Sequence, residues 1–285
     1  MTHTHRNIPD THILTALRAA LLAGEAILEV YTMKDREITT KEDNSPLTLA
    51  DRRADTIIKE QLEPTDIPVF TEESSSTPYE TREKWQEYWL VDPLDGTKEF
   101  IKKNDEFTVN IALIRDNRPV FGVIYLPVFR QLYFAMEGKG SYRLDNIDPA
   151  SFLEEKDLAV ITGKAVRLPD MQDDKRLRIV VSRSHLSPET KAFIEETLGP
   201  GADYEMISAG SSLKFCRVAE GRAELYPRLA PTMEWDIAAA YIIVTEAGGT
   251  VTQPDGSPVL FNKEDLHNPW FVVASRKMSQ KIFQK

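Results

Sequence analysis

Two aspartates three residues apart, Asp92 and Asp95, stand directly behind an apolar run in "WLVDPLDGTKEF" (residues 89–100) and are followed by Gly96 and Thr97. Pro93 fixes its own φ and biases its predecessor to extended backbone. The spacing therefore predicts a strand closed by Asp92 and a turn opened by Asp95, with both carboxylates facing one point. Gly96 permits an unusual backbone angle, and the N–H groups of Gly96 and Thr97 at the start of a short helix can hold an anion. The Thr97 hydroxyl can orient or deprotonate a water together with a nearby carboxylate. Two more acidic residues close similar patterns: Glu72 in "TEES" ends a short apolar run, and Asp236 in "EWDIAAA" lies in the first turn of an apolar helix. Glu72, Asp92, Asp95 and Asp236 make up the oxygen-rich set that Mg²⁺ favours, shared among two or three ions with water and substrate phosphate in the remaining positions. Each piece alone has an ordinary explanation, Asp-Gly as a turn and a glutamate pair as solvated surface. Their combination carries the reading. Asp51 in "TLAD" would by itself read as a helix cap.

The elements that must position these residues follow from hydrophobic period. Asp10 or Thr11 can cap a helix over "ILTALRAALLAGEAILEVY", and "LTLADRRADTIIKEQL" repeats apolar residues at helical spacing. "FTVNIALI" and "VFGVIYLP" read as a hairpin extended by "QLYFAMEGKGSYRL". A charged, irregular stretch from about Asn146 to Lys175 is the expected domain junction, dividing an N-terminal α+β domain (1–155) with most metal ligands from a C-terminal α/β domain (156–285). The second half alternates helices and strands. A layered α/β or α+β architecture is expected, not a bundle or a barrel.

Composition narrows the function. With 35 Lys and Arg against 45 Asp and Glu, the net charge of −10 argues against binding a nucleic-acid polymer. Cys216, the single cysteine, excludes an internal disulfide, suggests a reducing compartment, and reads as a small buried side chain. No apolar run reaches the roughly 18 residues of a membrane span, and no leader pattern opens the chain, so a cytoplasmic protein is expected. Phosphatases of the haloacid-dehalogenase type place one residue between their aspartates, near the N-terminus. The two-residue spacing here, a third of the way along the chain, disfavours a phosphorylated Asp92.

"EES", "WLVDPLDGTKEF" and "WDIAAAYIIVTEAGG" resemble, in order and separation, the signatures of the inositol monophosphatase superfamily of Mg²⁺-dependent, lithium-sensitive phosphatases. "NDEFTVNIALI" and "GSSLKFCRVAEGRAELYPR" are similar to its CysQ-type 3'(2'),5'-bisphosphate nucleotidase branch. The resemblance implies a layered αβαβα sandwich of the inositol monophosphatase and fructose-1,6-bisphosphatase type. It also implies metal ligation by Glu72, Asp92, Asp95, Asp236 and the Leu94 carbonyl, with Glu73 as the alternative to Glu72. Thr97 hydrogen-bonded to Asp51 would activate the attacking water, and the ions would be two or three Mg²⁺, inhibited by Li⁺. Ser211 and Lys214, three apart at a predicted helix start, are expected to share a face. With Arg228 and His185 they correspond to nucleotide contacts in that branch. The implied reaction is hydrolysis of 3'-phosphoadenosine 5'-phosphate to AMP and phosphate by a cytoplasmic monomer or homodimer, peripheral attachment to the inner membrane being left open. The alternatives are an inositol or sugar phosphatase of the same fold and a non-catalytic nucleotide sensor.

Overall fold

The computed structural model describes residues 7–33, 39–40, 46–170, 176–182, 187–199 and 201–283. Helix α1 (Asp10–Thr32) precedes a short pair, β1 (Thr39–Thr40) and β2 (Pro46–Leu47), and then α2 (Leu49–Leu62). β3 (Val69–Thr71), α3 (Tyr79–Arg82), β4 (Glu87–Asp95) and α4 (Thr97–Lys102) bring the chain to the meander β5 (Thr108–Arg115), β6 (Arg118–Leu126), β7 (Gln131–Met136) and β8 (Gly140–Leu144). After α5 (Pro149–Glu154), α6 (Leu158–Lys164) and β9 (Val166–Arg167), the second half runs β10 (Leu177–Ser182), α7 (Pro188–Leu198), β11 (Tyr204–Ala209), α8 (Leu213–Ala219), β12 (Leu225–Arg228), α9 (Glu234–Glu246), β13 (Thr250–Thr252), β14 (Phe271–Ala274) and α10 (Arg276–Phe283).

Strands β3 to β9 form a seven-stranded sheet in sequence order, and the later strands form a five-stranded sheet ordered β11-β10-β12-β14-β13. Side-chain alternation decides the layers. Trp89, Val91, Ile111 and Leu113 face α1 and α2, while Tyr88, Leu90, Ala112 and Ile114 face the other way, toward α8 and α9. A sheet covered on both faces needs apolar residues at every position, which is why β4 and β5 read as continuous apolar runs. The five-stranded sheet lies on the far side of α8 and α9 and is backed by α7 and α10. Five layers result, in the αβαβα order the resemblance implies.

The β5–β6 turn, Asp116-Asn117, has positive φ at both residues (49° and 61°). That geometry gives the two-residue turn whose twist matches the flanking strands. Three sequence expectations need correction. The cap of α1 is Pro9, with no side-chain bond, and Asp10 already lies in the first turn. The described part of the stretch from Asn146 contains two short helices, with Asp148 and Asp157 capping α5 and α6 by accepting the N–H of Ser151 and Ala159. Short helices framed by their own caps carry little periodic apolar signal. Strand β4 also does not stop at Asp92. It pairs Asp95 with Thr108, and the register shifts between Asp92 and Asp95 because Pro93 has no N–H to give the ladder.

Candidate active site

The start of α2 is built around Asp51. Thr48 caps the helix by accepting the N–H groups of Ala50 and Asp51, while Asp51 Oδ2 accepts the backbone N–H of Thr48 at 2.7 Å and its hydroxyl at 2.5 Å. This is a reciprocal capping box that orients the carboxylate. The other oxygen, Oδ1, accepts the Thr97 hydroxyl at 3.2 Å. One turn along α2, Asp55 accepts the hydroxyl of Thr71 at 2.6 Å, tying the residue before Glu72 to the same helix. One helix thus aligns the Thr97 turn and the end of β3.

Thr97 sits at the first position of α4, entered through Gly96 in the left-handed region (φ 92°). Only glycine takes this angle without strain. At the β4 bulge, Asp92, 1% exposed, accepts the Leu94 N–H at 3.0 Å, and the Leu94 carbonyl lies 3.3 Å from the Thr97 hydroxyl.

Asp95 faces the second sheet. Its Oδ2 accepts the Ser212 hydroxyl at 3.0 Å, and Ser212 Oγ in turn accepts from Asn110 Nδ2 at 3.0 Å and lies 3.1 Å from the Asp236 carbonyl. Asp236 occupies the third position of α9 and accepts the Met233 N–H through Oδ2 at 2.8 Å. Asp95 and Asp236 lie deep in the protein, although the cleft leaves both partly open to solvent. Burial first, then repulsion from Asp95 and Glu72, push the Asp236 carboxyl well above its usual range. Burial raises Asp95 too, opposed by Lys214 and the Ser212 hydrogen bond.

Among the described residues no cluster of three acidic, histidine or cysteine side chains is preassembled to hold a metal ion. The donors nevertheless fit one. Asp95 and Glu72 both repel the Asp236 carboxylate, a burden that a divalent cation would remove.

The cleft beside these carboxylates, about 140 Å³, is also lined by Ser211, Lys214 and Arg228. Ser211 and Lys214 do not share a helix face. Ser211 precedes the cap Ser212 with φ 40°, and the buried Lys214 folds back so that its ammonium donates to the Ser211 carbonyl at 2.6 Å. Burial, reinforced by Arg228, pushes the Lys214 ammonium down to about 8. Arg228 donates to the Pro231 carbonyl at 3.2 Å, and among the described residues its buried Nε and the Ser211 hydroxyl have no protein partner. Glu73 is half-buried beside Glu72. His185 lies outside the described residues.

Sequence reasoning passed over Ser212 and Asn110. The signal for Asn110 was present, a lone polar residue inside "FTVNIALI", and Ser212 was hidden beside Ser211. Cys216 is fully buried with its thiol pushed up by burial, in line with the packing role expected of it.

The profile of the inositol monophosphatase family matches residues 9–284. The chain belongs to the inositol monophosphatase family. Within that family it is 43% identical over 256 residues to the 3'(2'),5'-bisphosphate nucleotidase CysQ of Escherichia coli strain K12, covering 88% of this chain and 95% of that protein. The Salmonella typhimurium CysQ is 44% identical over 255 residues, covering 88% and 94%. The crystal structure of CysQ from Bacteroides thetaiotaomicron superposes with a TM-score of 0.82 at 47% identity, over 92% of this chain and 96% of that one. The extragenic suppressor protein suhB of Bartonella henselae is more distant, at 25% identity and a TM-score of 0.70 over 96% of this chain and 98% of that one.

Proposed function

We propose that this chain is a phosphatase that removes the 3'-phosphate of 3'-phosphoadenosine 5'-phosphate, yielding AMP and inorganic phosphate. The similarity to CysQ nucleotidases over most of the chain supports the substrate. One structural observation carries the reading: a single cleft places Asp95 and Asp236 beside a second set of groups, Ser211, Lys214 and Arg228, suited to a phosphate that is not cleaved.

Glu72, Asp92, Asp95, Asp236 and the Leu94 carbonyl would hold two or three Mg²⁺ ions. When bound, such ions lower the pKa of a water and neutralise charge on the leaving oxygen. The chain's own groups handle the proton. Thr97 Oγ1 donates to Asp51 Oδ1, so its lone pairs are free to accept from the attacking water. As water attacks phosphorus, its proton passes to Thr97 and the Thr97 proton passes to Asp51. One P–O bond forms to water, the bond to the ribose oxygen breaks, and that oxygen takes up a proton from solvent water as AMP leaves. Asp51 keeps its orientation because Oδ2 is held by Thr48. The N–H groups of Gly96 and Thr97 would bind phosphate oxygens. Ser211, Lys214, Arg228 and His185 would contact the nucleotide. In this division of labour, residues 1–155 carry most of the hydrolytic groups and 156–285 carry Asp236 and the nucleotide contacts. No described helix is long and apolar enough to cross a membrane, and a cytoplasmic location is part of the proposal.

The test is phosphate release with Mg²⁺ from 3'-phosphoadenosine 5'-phosphate, inositol 1-phosphate and fructose 1,6-bisphosphate at equal concentration, with and without Li⁺. Preference for the nucleotide, suppressed by Li⁺, is expected. Preference for inositol 1-phosphate would keep the hydrolytic groups but remove the roles given to Ser211, Lys214, Arg228 and His185. Nucleotide binding without release from any of the three would favour a sensor.

A further inference from the structure

The segment "NDEFT" (residues 104–108), between α4 and β5, supplies none of the groups above, yet it joins the two ends of the cleft. Glu106 Oε2 accepts the backbone N–H of Gly210 at 2.8 Å, reaching from the first sheet's side to the residue before Ser211. The backbone of Glu106 fits between two glycines. A Cβ on Gly210 would lie 2.9 Å from the Glu106 carbonyl oxygen and 3.0 Å from its Cβ, and one on Gly96 would lie 3.2 Å from the same carbonyl. Gly96 follows Asp95, and Gly210 precedes Ser211. Glu106 therefore touches both the end that would cleave and the end that would anchor.

Its own side of this contact is firmly held. The Glu106 N–H donates to Asn104 Oδ1 at 3.2 Å, and Asp105 accepts the Tyr31 hydroxyl at 2.7 Å. Phe107 is fully buried, with its ring against those of Tyr31 and Phe100. The other side is the part that needs holding. Ser211 has φ 40°, a left-handed angle that a residue with a side chain keeps only when its surroundings impose it. Two bonds do so: Gly210 N–H to Glu106, and Lys214 Nζ to the Ser211 carbonyl.

We infer that Glu106 is a positioning residue that holds the Gly210-Ser211 turn at a fixed separation from the Asp95-Gly96-Thr97 turn, and thereby selects substrates with a second phosphate. The selectivity part rests on the function proposed above; the clasp itself does not.

The experiment compares Glu106→Ala and Glu106→Gln, each with 3'-phosphoadenosine 5'-phosphate and with 3'-AMP, which lacks the second phosphate. Losing a hydrogen bond to a charged acceptor should raise KM for the bisphosphate about tenfold in Glu106→Ala, with kcat and the 3'-AMP reaction changed less than about twofold. Glu106→Gln keeps an acceptor oxygen and should stay near wild type. Equal loss on both substrates, a loss carried by kcat, or Glu106→Gln behaving like Glu106→Ala would overturn the inference. Hydrogen exchange of the peptide spanning 207–213, measured without substrate, tests the clasp separately. Faster exchange in Glu106→Ala is expected, and unchanged protection would refute the clasp. If wild-type enzyme shows no preference for the bisphosphate while exchange still accelerates, the selectivity role fails and the substrate reading fails with it, but the clasp stands.

Discussion

The starts of α2 and α9 use the same local device for different ends. Asp51 and Asp236 each occupy the third position of a helix, and each accepts the backbone N–H of its cap residue through Oδ2. Sequence reads both as helix-start acids. Their surroundings separate them. Asp51 is 2% exposed and gives Oδ1 to a hydroxyl, Thr97, whereas Asp236 faces the charges of Asp95 and Glu72, and burial with that repulsion raises its pKa. In the proposed function the capped carboxylate opposite a hydroxyl would accept a proton, and the one opposite other carboxylates would hold a cation. Local structure aims the group, and the opposing element assigns its chemistry.

Asp51→Asn breaks the comparison most severely. The amide can keep its oxygen toward Thr48, which presents an N–H group to Thr97 where an acceptor is needed. Turnover should fall by about 10²–10⁴ while the melting temperature changes little. Retained turnover in a steady-state assay would show that Asp51 is only a helix cap.

Asp236→Asn probes the other helix and should separate activity from stability. Activity should drop about a hundredfold or more, because several kcal/mol of cation-mediated charge stabilisation is lost. In metal-free protein, however, the variant should melt higher than wild type. The sign follows from the raised pKa: a carboxyl whose folded pKa exceeds its unfolded value burdens the fold above that pKa, and a neutral amide removes the burden. Mg²⁺ should raise the melting temperature of wild type more than that of the variant. A calorimetric scan in which Asp236→Asn melts lower without metal would contradict the repulsion argument.

The smallest effect concerns Lys214, a buried cation near Asp95. Its folded pKa of about 8 lies below the ordinary lysine value, so the unfolded chain binds more protons between the two. Stability should rise with pH above about 8, and over the same range the loss of charge should raise KM for the bisphosphate. Lys214→Met should flatten both profiles and raise KM roughly tenfold at neutral pH, the scale of one charged hydrogen bond. A wild-type KM that stays flat from pH 7 to about pH 9.5 would place the charge elsewhere.

The fold was largely legible because covered strands and amphipathic helices leave strong periodic signals. Strands β4 to β8 and helices α1, α2 and α9 follow the apolar pattern closely. The failures have separate causes. α5 and α6 are short and half-exposed, so burial wrote little of them into the apolar pattern. Strand β4 continues past Pro93 because Thr108, on the next strand, gives Asp95 a partner that no local rule reveals.

In the site, the sequence by itself determined the residue types: five carboxylates, a Gly-Thr turn, a hydroxyl and two cations at spacings that local backbone rules can aim. Those rules act over three or four residues, so Gly96 can be assigned its left-handed turn and Asp51 its helix start from neighbours alone. Only the tertiary structure decided which groups meet. Ser212 joins Asp95 to α9, Asp51 reaches Thr97 across 46 residues, and Lys214 turns inward to the Ser211 carbonyl. These contacts arise where two sheets and two helix starts converge, and their energies depend on burial and on opposing charges that become neighbours only when the layers have packed.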